Sequence, residues 1–423
     1  MRLLHLVHQY LPDDIGGTEL YTQWLAEGLR AQGHEVSVFY RRSGPDETTT
    51  QRVEPSGTQV WAVTAGRVTP QRRFLATFNQ PSILNAFQQA IAVVQPDLVH
   101  IQHLMGLPVS LAHHLQQQNI PYLITLHDYW WVCANAQLLT NYSQQLCDGP
   151  RAYLNCARCA LARANHPRLW PAIPGLAALL ARRNHLLRGV LRAAQRLIAP
   201  SQFVADWYAA HGAPLRTLQV IPHGLPLLPP SQSRVQGDAG RPFRFGYISG
   251  GLTPQKGIHI LVEAARQLPA AIELWVAGDE GADPDYAARL RAAASTETRF
   301  LGRLSRRQVW DMLAQIDVLV VPSLWYETFA FVISEAFAAG VPVIASNLGP
   351  LAGRVQHEGD GLLVPPDDAA ALRQALQRFL EEPDLLDRLR AGIQAVQTME
   401  GHAKALEAVY QLVVVGENNL CQT

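Results

Sequence analysis

The sequence predicts an α/β protein of two parallel-sheet domains in tandem. Its 423 residues are more than one hydrophobic core usually organises. Short apolar runs alternate with longer amphipathic stretches, which is typical of parallel sheets flanked by helices. The alternation starts afresh after a proline-rich, polar stretch at 226–242, whose composition is that of a linker.

The first domain is predicted to span residues 1–225, and the second residues 243–395. The strands of the first domain are expected at 2–9, 36–40, 60–64, 97–102, 122–127, 196–199 and 218–222. Its clearest helices are expected at 18–32, 82–95 and 107–118. The second domain repeats the pattern, with strands at 243–248, 272–278, 318–322, 342–346 and 361–365. Its helices are expected at 257–267, 284–294, 306–315, 329–339 and 368–381. The end of the chain, 396–423, is predicted to form a helix that packs back on the first domain.

The amino-acid composition limits the classes to which this protein can belong. Hydrophobic residues make up 48% of the chain and charged residues 17%, which is a globular rather than a disordered composition. The formal net charge is zero, so no nucleic-acid partner is expected. No apolar run reaches the roughly 18–20 residues that span a bilayer, and the first residues lack the features of a signal peptide. With five cysteines and no export signal, we expect a cytoplasmic protein.

A glycine pair, Gly16 and Gly17, follows the first predicted strand and precedes a helix. Paired glycines let the backbone turn tightly and approach a ligand, and the start of the helix presents N–H groups to an anion. An ordinary strand-to-helix turn capped by Thr18 explains the same residues. The full glycine pattern of dinucleotide-binding dehydrogenases is absent, which argues against that class.

A second glycine-rich loop, Ser249–Gly257, follows the first strand of the second domain. Its Lys256 is the only lysine among the first 403 residues, and apart from Lys404 the other positively charged residues of the chain are arginines. A single lysine in such a loop indicates a compact charge placed on a phosphate, although a surface lysine on a turn is the plain alternative. The spacing of a Walker loop is absent.

Two glutamates, Glu327 and Glu335, follow the predicted strand at 318–322. Ligands of open α/β sheets bind outside the carboxyl ends of the strands, where Glu327 is expected. Eight helical positions return to within about 80° of the same face, so both carboxylates can face one cleft. Their neighbours, Phe329 among them, are mostly apolar. An unpaired charge is destabilised in such surroundings, so each carboxylate is expected to have a partner or a ligand. A glutamate at a helix start and a second one facing solvent would be the plain alternative.

At these residues the chain resembles glycosyltransferase family 4, the group 1 glycosyltransferases. The Glu-x7-Glu segment within 318–346 is the most specific match. The other matching pieces are GGLTPQKG (250–257), VAGDEG (276–281), FLGRLS (300–305), DGLLVPP (360–366), GGTELYTQWLAEGLRAQGHEVSVF (16–39), LITLHDYW (123–130), IAPSQF (198–203) and VIPHG (220–224). The resemblance implies the GT-B fold, in which two Rossmann-like domains face each other and the second holds most of the donor.

The resemblance also implies roles for the residues of the second domain. Glu327 would hydrogen-bond the sugar hydroxyls of a nucleotide-diphosphate sugar, and Glu335 the hydroxyls of its ribose. Lys256 would neutralise the diphosphate, and Phe329 would lie in the donor site. The family's reaction retains the anomeric configuration: the leaving phosphate takes the acceptor proton, while Lys256 and backbone amides stabilise its charge.

In the first domain, Gly16 and Gly17 would line the cleft, and His127 would lie beside the donor sugar. A structural histidine at a strand end is the alternative for His127. The sequence also departs from the family. Gly251 stands where many relatives have an arginine, for which Arg303 is a possible substitute. Ala330 and Gly353 replace the usual glycine and glutamate, so the family pattern does not predict the donor preference.

The resemblance implies transfer of a sugar to a saccharide or lipid-linked acceptor, in surface polysaccharide or glycolipid biosynthesis. Two alternatives are a nucleotide-sugar epimerase, which the Glu-x7-Glu segment disfavours, and a non-catalytic nucleotide-sugar-binding protein. No cofactor is expected for catalysis, because this fold does not use a metal at an Asp-x-Asp site. Asp283-Pro-Asp285 matches that short pattern, as many loops do.

Four cysteines, Cys133, Cys147, Cys156 and Cys159, fall within an insertion near 131–165 that has little else to build a core. We call them the cysteine cluster. Four thiolates with one Cys-x2-Cys pair can hold a structural zinc, but the spacing before the pair is irregular. Free buried thiols, disulfides and an iron–sulfur site remain alternatives.

Between residues 149 and 205 there are nine arginines and no acidic residue. Arg188, Arg192 and Arg196 recur every four positions, so a helix at 176–198 would present them on one face. Such a basic amphipathic helix can lie on an anionic bilayer, at the inner membrane face, or hold an anionic lipid-linked acceptor. A solvated arginine face on a packed helix is the alternative.

Overall fold

The computed structural model describes residues 1–13, 15–67, 69–166, 168–227, 241–266, 268 and 272–420. The chain divides into two compact units. The first contains residues 1–224 and 398–423, and the second contains residues 225–397. The predicted linker at 226–242 lies mostly outside the described residues.

The first unit is built on an eight-stranded sheet with the order β3-β4-β2-β1-β5-β6-β7-β8. Its strands are β1 (Arg2–Val7), β2 (Glu35–Arg42), β3 (Thr48–Val53), β4 (Gln59–Thr64), β5 (Leu98–Ile101), β6 (Tyr122–Thr125), β7 (Arg196–Ala199) and β8 (Leu218–Val220). Seven of the eight strands pair in parallel, and only β3 runs antiparallel, to β4. The sequence did not predict β3, because its residues are polar and exposed at the edge of the sheet.

Helices cover this sheet. They are α1 (Gly17–Ala31), α2 (Pro70–Ala76), α3 (Pro81–Val94), α4 (Ser110–Gln117), α5 (Leu154–Arg163), α6 (Ile173–Ala193), α7 (Gln202–Ala210) and, from the end of the chain, α14 (Met399–Leu420). The last of these packs against α1 within the first unit. In the described part of the chain, no helix is both long enough and apolar enough to cross a membrane.

The second unit contains a six-stranded parallel sheet with the order β11-β10-β9-β12-β13-β14. Its strands are β9 (Phe243–Gly251), β10 (Ile272–Asp279), β11 (Thr298–Gly302), β12 (Val318–Val321), β13 (Val343–Ser346) and β14 (Gly361–Val364). Its helices are α8 (Ile258–Ala265), α9 (Pro284–Ala293), α10 (Arg306–Leu313), α11 (Phe331–Ala338), α12 (Ala369–Glu381) and α13 (Leu385–Gly392). The predicted α/β class with two parallel sheets is confirmed.

Strand order reverses once in each sheet, and these reversals position the candidate residues. In the second unit the chain moves outward from β9 to β11 and then returns to place β12 beside β9. In the first unit the same reversal lies between β1 and β5. Ligands of open α/β sheets bind at such points, outside the carboxyl ends of the strands. Lys256 follows β9, Glu327 follows β12, and Gly16 follows β1.

The basic helix predicted at 176–198 is partly wrong. The helix α6 ends at Ala193, and Ala194 leaves the helical conformation with ψ 136°. Arg196 instead begins β7, where it pairs with Leu123 of β6. It therefore does not share a helix face with Arg188 and Arg192, because pairing in the sheet overrides the four-residue spacing.

Candidate active site

The loop after β9 is held against β12 by a glycine. Gly257 has φ +70°, and a Cβ built on it would lie 1.8 Å from the carbonyl oxygen of Pro322. Only glycine avoids both the strained backbone and this clash. The preceding short 3-10 turn, Pro254–Lys256, is thereby held next to the segment that follows β12. This close approach brings Lys256 to the carboxyl end of β12.

Lys256 and Glu327 form an ion pair at the reversal of strand order. The Lys256 Nζ atom lies 2.6 Å from Glu327 Oε1 and 5.0 Å from the ring centroid of Trp325. Ser323 Oγ and Trp325 Nε1 also donate to Glu327 Oε1, each at 2.9 Å. No hydrogen bond from a described residue reaches Oε2. The carboxylate is therefore held firmly through one oxygen while the other can accept from a ligand.

Glu335 lies within α11 and is paired differently. It is 2% exposed and forms an ion pair with Arg306, the first residue of α10. Burial raises the pKa of Glu335, and the Arg306 guanidinium opposes that shift. The sequence reasoning missed Arg306. Arg306 and Arg307, which follow the FLGRLS piece, were the available signal. Nothing in the sequence indicated which of the two would reach Glu335 in α11. Arg303 lies exposed in the same connection.

Phe329 is 4% exposed and lies under an arginine that the sequence reasoning also missed. The Arg354 guanidinium lies 3.7 Å from the centroid of the Phe329 ring, and its Nη2 donates to Ser334 Oγ at 2.6 Å. Burial lowers the pKa of Arg354 to about 10, so it remains a cation at neutral pH. Between these residues Ala330 has φ +56°, the left-handed conformation that a glycine would adopt at less cost.

The structure gives a physical reason for one departure from the family pattern. A Cβ on Gly251 would lie 2.8 Å from the Cβ of Ala282, so any larger side chain requires this contact to move. The nearby Asp283-Pro-Asp285 segment is explained by helix capping. The Asp283 side chain accepts a hydrogen bond from the Tyr286 backbone N–H at 3.0 Å and caps α9.

In the first unit, His127 lies at the carboxyl end of β6 within a network of buried rings. It is 8% exposed, and its Nε2 donates to Gln102 Oε1 at 2.9 Å. Gln102 Nε2 in turn donates to His5 Nδ1 at 2.9 Å. Burial, followed by the charges of His103 and His402, lowers the pKa of His127. The imidazole is therefore neutral at pH 7, with its hydrogen on Nε2 and its lone pair on Nδ1.

The residue after His127 forms a second pair. Both carboxylate oxygens of Asp128 lie 3.1 Å from His103 Nε2, and the Met105 N–H donates to His103 Nδ1 at 3.0 Å. The His8 ring lies 4.4 Å from that of His103, and His8 Nε2 lies 3.5 Å from Glu19 Oε1. The sequence reasoning did not find this chain of groups, because its members come from three strand ends and one helix.

Gly16 and Gly17 lie at the start of α1, with Gly16 as the N-cap. A Cβ on Gly16 would lie 2.5 Å from Glu19 Oε2, so the glycine leaves room for a carboxylate of the same helix. Glu19 is 5% exposed and lies in the first turn, where the helix dipole favours a negative charge.

The cysteine cluster lines a single cavity in the first unit, together with α2, α5 and α6. All four thiols are free. Burial raises the pKa values of Cys133, Cys156 and Cys159, the second to about 12. Among the described residues, no group of three or more Cys, His, Asp or Glu side chains is arranged to hold a metal ion. Zinc binding therefore stays a prediction from the sequence.

Comparison with known proteins assigns the family. Residues 15–227, about half of the chain, match the family model described as Glycosyltransferase Family 4. Residues 242–396 match the model described as Glycosyl transferases group 1. The chain belongs to glycosyltransferase family 4. It is a glycosyltransferase, as its resemblance implied.

Curated relatives of this family 4 glycosyltransferase match along most of their length. D-inositol 3-phosphate glycosyltransferase of Xylanimonas cellulosilytica is 25% identical over 414 residues, which cover 94% of this chain and 91% of that protein. Glycogen synthase of Mycobacterium tuberculosis is 28% identical over 403 residues, which cover 92% and 88%.

Solved structures confirm the GT-B fold. Sucrose-phosphate synthase from Thermosynechococcus elongatus matches with a TM-score of 0.73 at 23% identity, over 98% of this chain and 100% of that one. Anabaena HepE in complex with UDP and glucose matches with a TM-score of 0.69 at 20% identity, over 97% and 99%.

Proposed function

We propose that this enzyme transfers a hexose from a nucleoside diphosphate sugar to a saccharide or lipid-linked acceptor, with retention of configuration, in surface polysaccharide or glycolipid biosynthesis. The observation that carries the proposal is the Lys256–Glu327 pair at the strand reversal of the second unit. It places an ammonium suited to a phosphate beside a carboxylate suited to sugar hydroxyls. The complex of the Anabaena relative with UDP and glucose supports a donor of this class.

The pair gives a physical account of donor binding. When the diphosphate enters, the Lys256 ammonium can turn to it while remaining close to Glu327, so neither charge is left unpaired. Glu327 Oε2 then accepts a hydrogen bond from a sugar hydroxyl, while Ser323 and Trp325 keep the carboxylate in place. As the bond to the leaving phosphate breaks, Lys256 stabilises the charge that develops on it.

The pairing of both glutamates disfavours a covalent glycosyl intermediate on either of them, so the proposed retention requires attack on the donor from its leaving-group face. A retaining glycosidase uses a carboxylate as its nucleophile. Here Glu327 is bonded to Lys256, and Glu335 is bonded to Arg306. We therefore assign both to the donor, with Glu335 on the ribose. The leaving phosphate takes the acceptor proton as the acceptor attacks from the same face. We place His127 beside the donor sugar, as the resemblance to the family implies.

A donor screen tests this proposal. Nucleoside diphosphate sugars are compared for their effect on the unfolding temperature, and each one that binds is then tested for hydrolysis and transfer. We expect one donor to be turned over into a product of unchanged anomeric configuration. A binding protein would bind a donor without product, an epimerase would release an isomerised nucleotide sugar or free sugar, and an inverted product would refute retention.

Variants of the two glutamates separate their roles. Glu335→Ala should raise the donor KM more than it lowers kcat, since it removes binding common to the ground and transition states. Glu327→Ala should lower kcat by about 100-fold or more, as loss of a preorganised polar group does. The nucleotide alone should bind the Glu327→Ala enzyme as it binds the wild type. Unchanged turnover of Glu327→Ala would show that the motif has another role.

A further inference from the structure

The cavity of the cysteine cluster has the size and lining of a ligand site. Its volume is about 490 Å³, within the range of small-molecule pockets. Apolar side chains from four segments form most of its wall. They include Phe74 and Leu75 of α2, Trp130, Leu161 of α5, and Leu176 and Leu180 of α6. Leu75 is exposed, so the apolar wall continues to the surface.

One charged group in this wall has only neutral hydrogen-bond partners. Arg183 lines the cavity and is 1% exposed. Its guanidinium donates to Trp130 O at 2.7 Å and to Asn184 Oδ1 at 2.8 Å, and it lies 4.5 Å from the centroid of the Trp130 ring. All of these partners are neutral, and no carboxylate of the described chain lies within ion-pair distance. Burial lowers the pKa of Arg183 to about 10, and nearby groups, the Asp128 carboxylate among them, oppose that shift only in part. A buried charge is costly when it is not paired directly, and an anion in the cavity would offset that cost.

The other charges of the wall have the same sign. Arg73 and Arg163 line the cavity, and none of the described residues that line it is acidic. The surrounding stretch from 149 to 205 also contains no acidic residue. An apolar wall with three guanidinium groups is complementary to a molecule that has both an alkyl chain and an anionic head.

The cavity adjoins the groups beside His127. Trp130 and Met105 form part of its wall. The Trp130 N–H donates to Asp128 Oδ1 at 2.8 Å, and the Met105 N–H donates to His103 Nδ1. The wall is therefore hydrogen-bonded directly to the His103–Asp128 pair, at the carboxyl ends of β5 and β6.

We propose that this cavity binds an amphipathic anion, with the alkyl chain against the apolar wall and the carboxylate or phosphate head on Arg183. Resting on the proposed glycosyl transfer, the ligand class is that of a lipid-linked acceptor, whose polar end extends from Arg183 towards His127. The cysteine cluster contributes polarisable sulfur atoms to the wall.

Direct binding tests this inference without any sugar donor. Dodecyl phosphate and dodecanoate, each below its micelle concentration, are titrated into the full chain and the heat is measured. Dodecanol serves as the uncharged probe. We expect one saturable site for at least one anion and at least tenfold weaker binding of dodecanol. The two anions distinguish a phosphate head from a carboxylate head.

Matched variants locate the site. Arg183→Gln should weaken binding of the anion at least tenfold. Arg182→Gln removes an exposed charge at the preceding position of α6 and should change binding less than twofold. Ala160→Trp should abolish binding of the anion and dodecanol, because Ala160 of α5 lines the cavity and a tryptophan fills it. If Arg183→Gln does not fold by circular dichroism, Ala160→Trp decides the location alone.

The inference is overturned if no anion binds saturably, or if Ala160→Trp binds as the wild type does. It is also overturned if Arg183→Gln and Arg182→Gln bind equally well. Failure of the proposed function is a separate result, because it would appear as absent sugar transfer in an enzyme that still binds dodecyl phosphate.

Discussion

Gly257→Ala tests whether the close approach of two loops positions the Lys256–Glu327 pair. The substitution places a methyl group 1.8 Å from Pro322 O, where ordinary contact begins at 3.4 Å, so the loops must separate by about 1.6 Å. It also places a non-glycine residue at φ +70°, which costs about 1–2 kcal/mol. A displacement of about 1 Å at a positioning residue can cost 100-fold in rate. We therefore expect kcat/KM for the donor to fall at least 100-fold, and the second unit to lose about 2 kcal/mol or more of stability.

The matched control is Gly250→Ala, at the end of β9 and just before that loop. A Cβ on Gly250 has no neighbour within 4 Å, and its φ lies outside the left-handed region. Turnover of the proposed donor is measured with the unfolding free energy of each variant, and Gly250→Ala should stay within threefold of the wild-type rate. A Gly257→Ala enzyme with wild-type turnover, or equal loss in both variants, would refute this reasoning.

Three further measurements test other parts of the molecule. Protein purified without a metal affinity column should contain about one zinc, as the cysteine cluster predicts from sequence; under a tenth of an equivalent, with four titrating thiols, would support the free thiols of the structure. Burial lowers the pKa values of His5 and His402 in the folded protein to about 3 and about 4. Below pH 6.5 the unfolded chain therefore binds more protons at these histidines than the folded protein does. The free energy of unfolding should fall as pH falls from 6.5, by up to about 2 kcal/mol for each of these histidines at pH 5. His402→Gln should reduce that loss. A free energy of unfolding that stays constant from pH 7 to 5 would contradict this expectation. Vesicles with anionic lipid should co-sediment the enzyme, less so in high salt, if the basic face of α6 contacts membranes. Equal sedimentation after Arg188→Gln with Arg192→Gln would show that this face is not the contact.

Most of the fold could be predicted from the sequence, and the errors have common causes. Buried parallel strands such as β12 (Val318–Val321) are short apolar runs, which the alternation of apolar and amphipathic segments reveals. The edge strands β3 and β11 have exposed or half-exposed residues, so hydrophobicity does not distinguish them from loops. Arg196 fitted a helical spacing, but pairing with β6 decided its conformation.

The sequence by itself determined which residue types follow the central strands. Its motifs were specific enough to identify the family. Only the tertiary structure decided which atoms meet. Glu327 accepts three hydrogen bonds on one oxygen, and Arg306 and Arg354 reach Glu335 and Phe329 from separate elements. The neutral hydrogen-bond partners of the buried Arg183 are likewise invisible in the sequence. These relations depend on distances between residues far apart in the chain, and strand order and loop packing set those distances while local patterns do not.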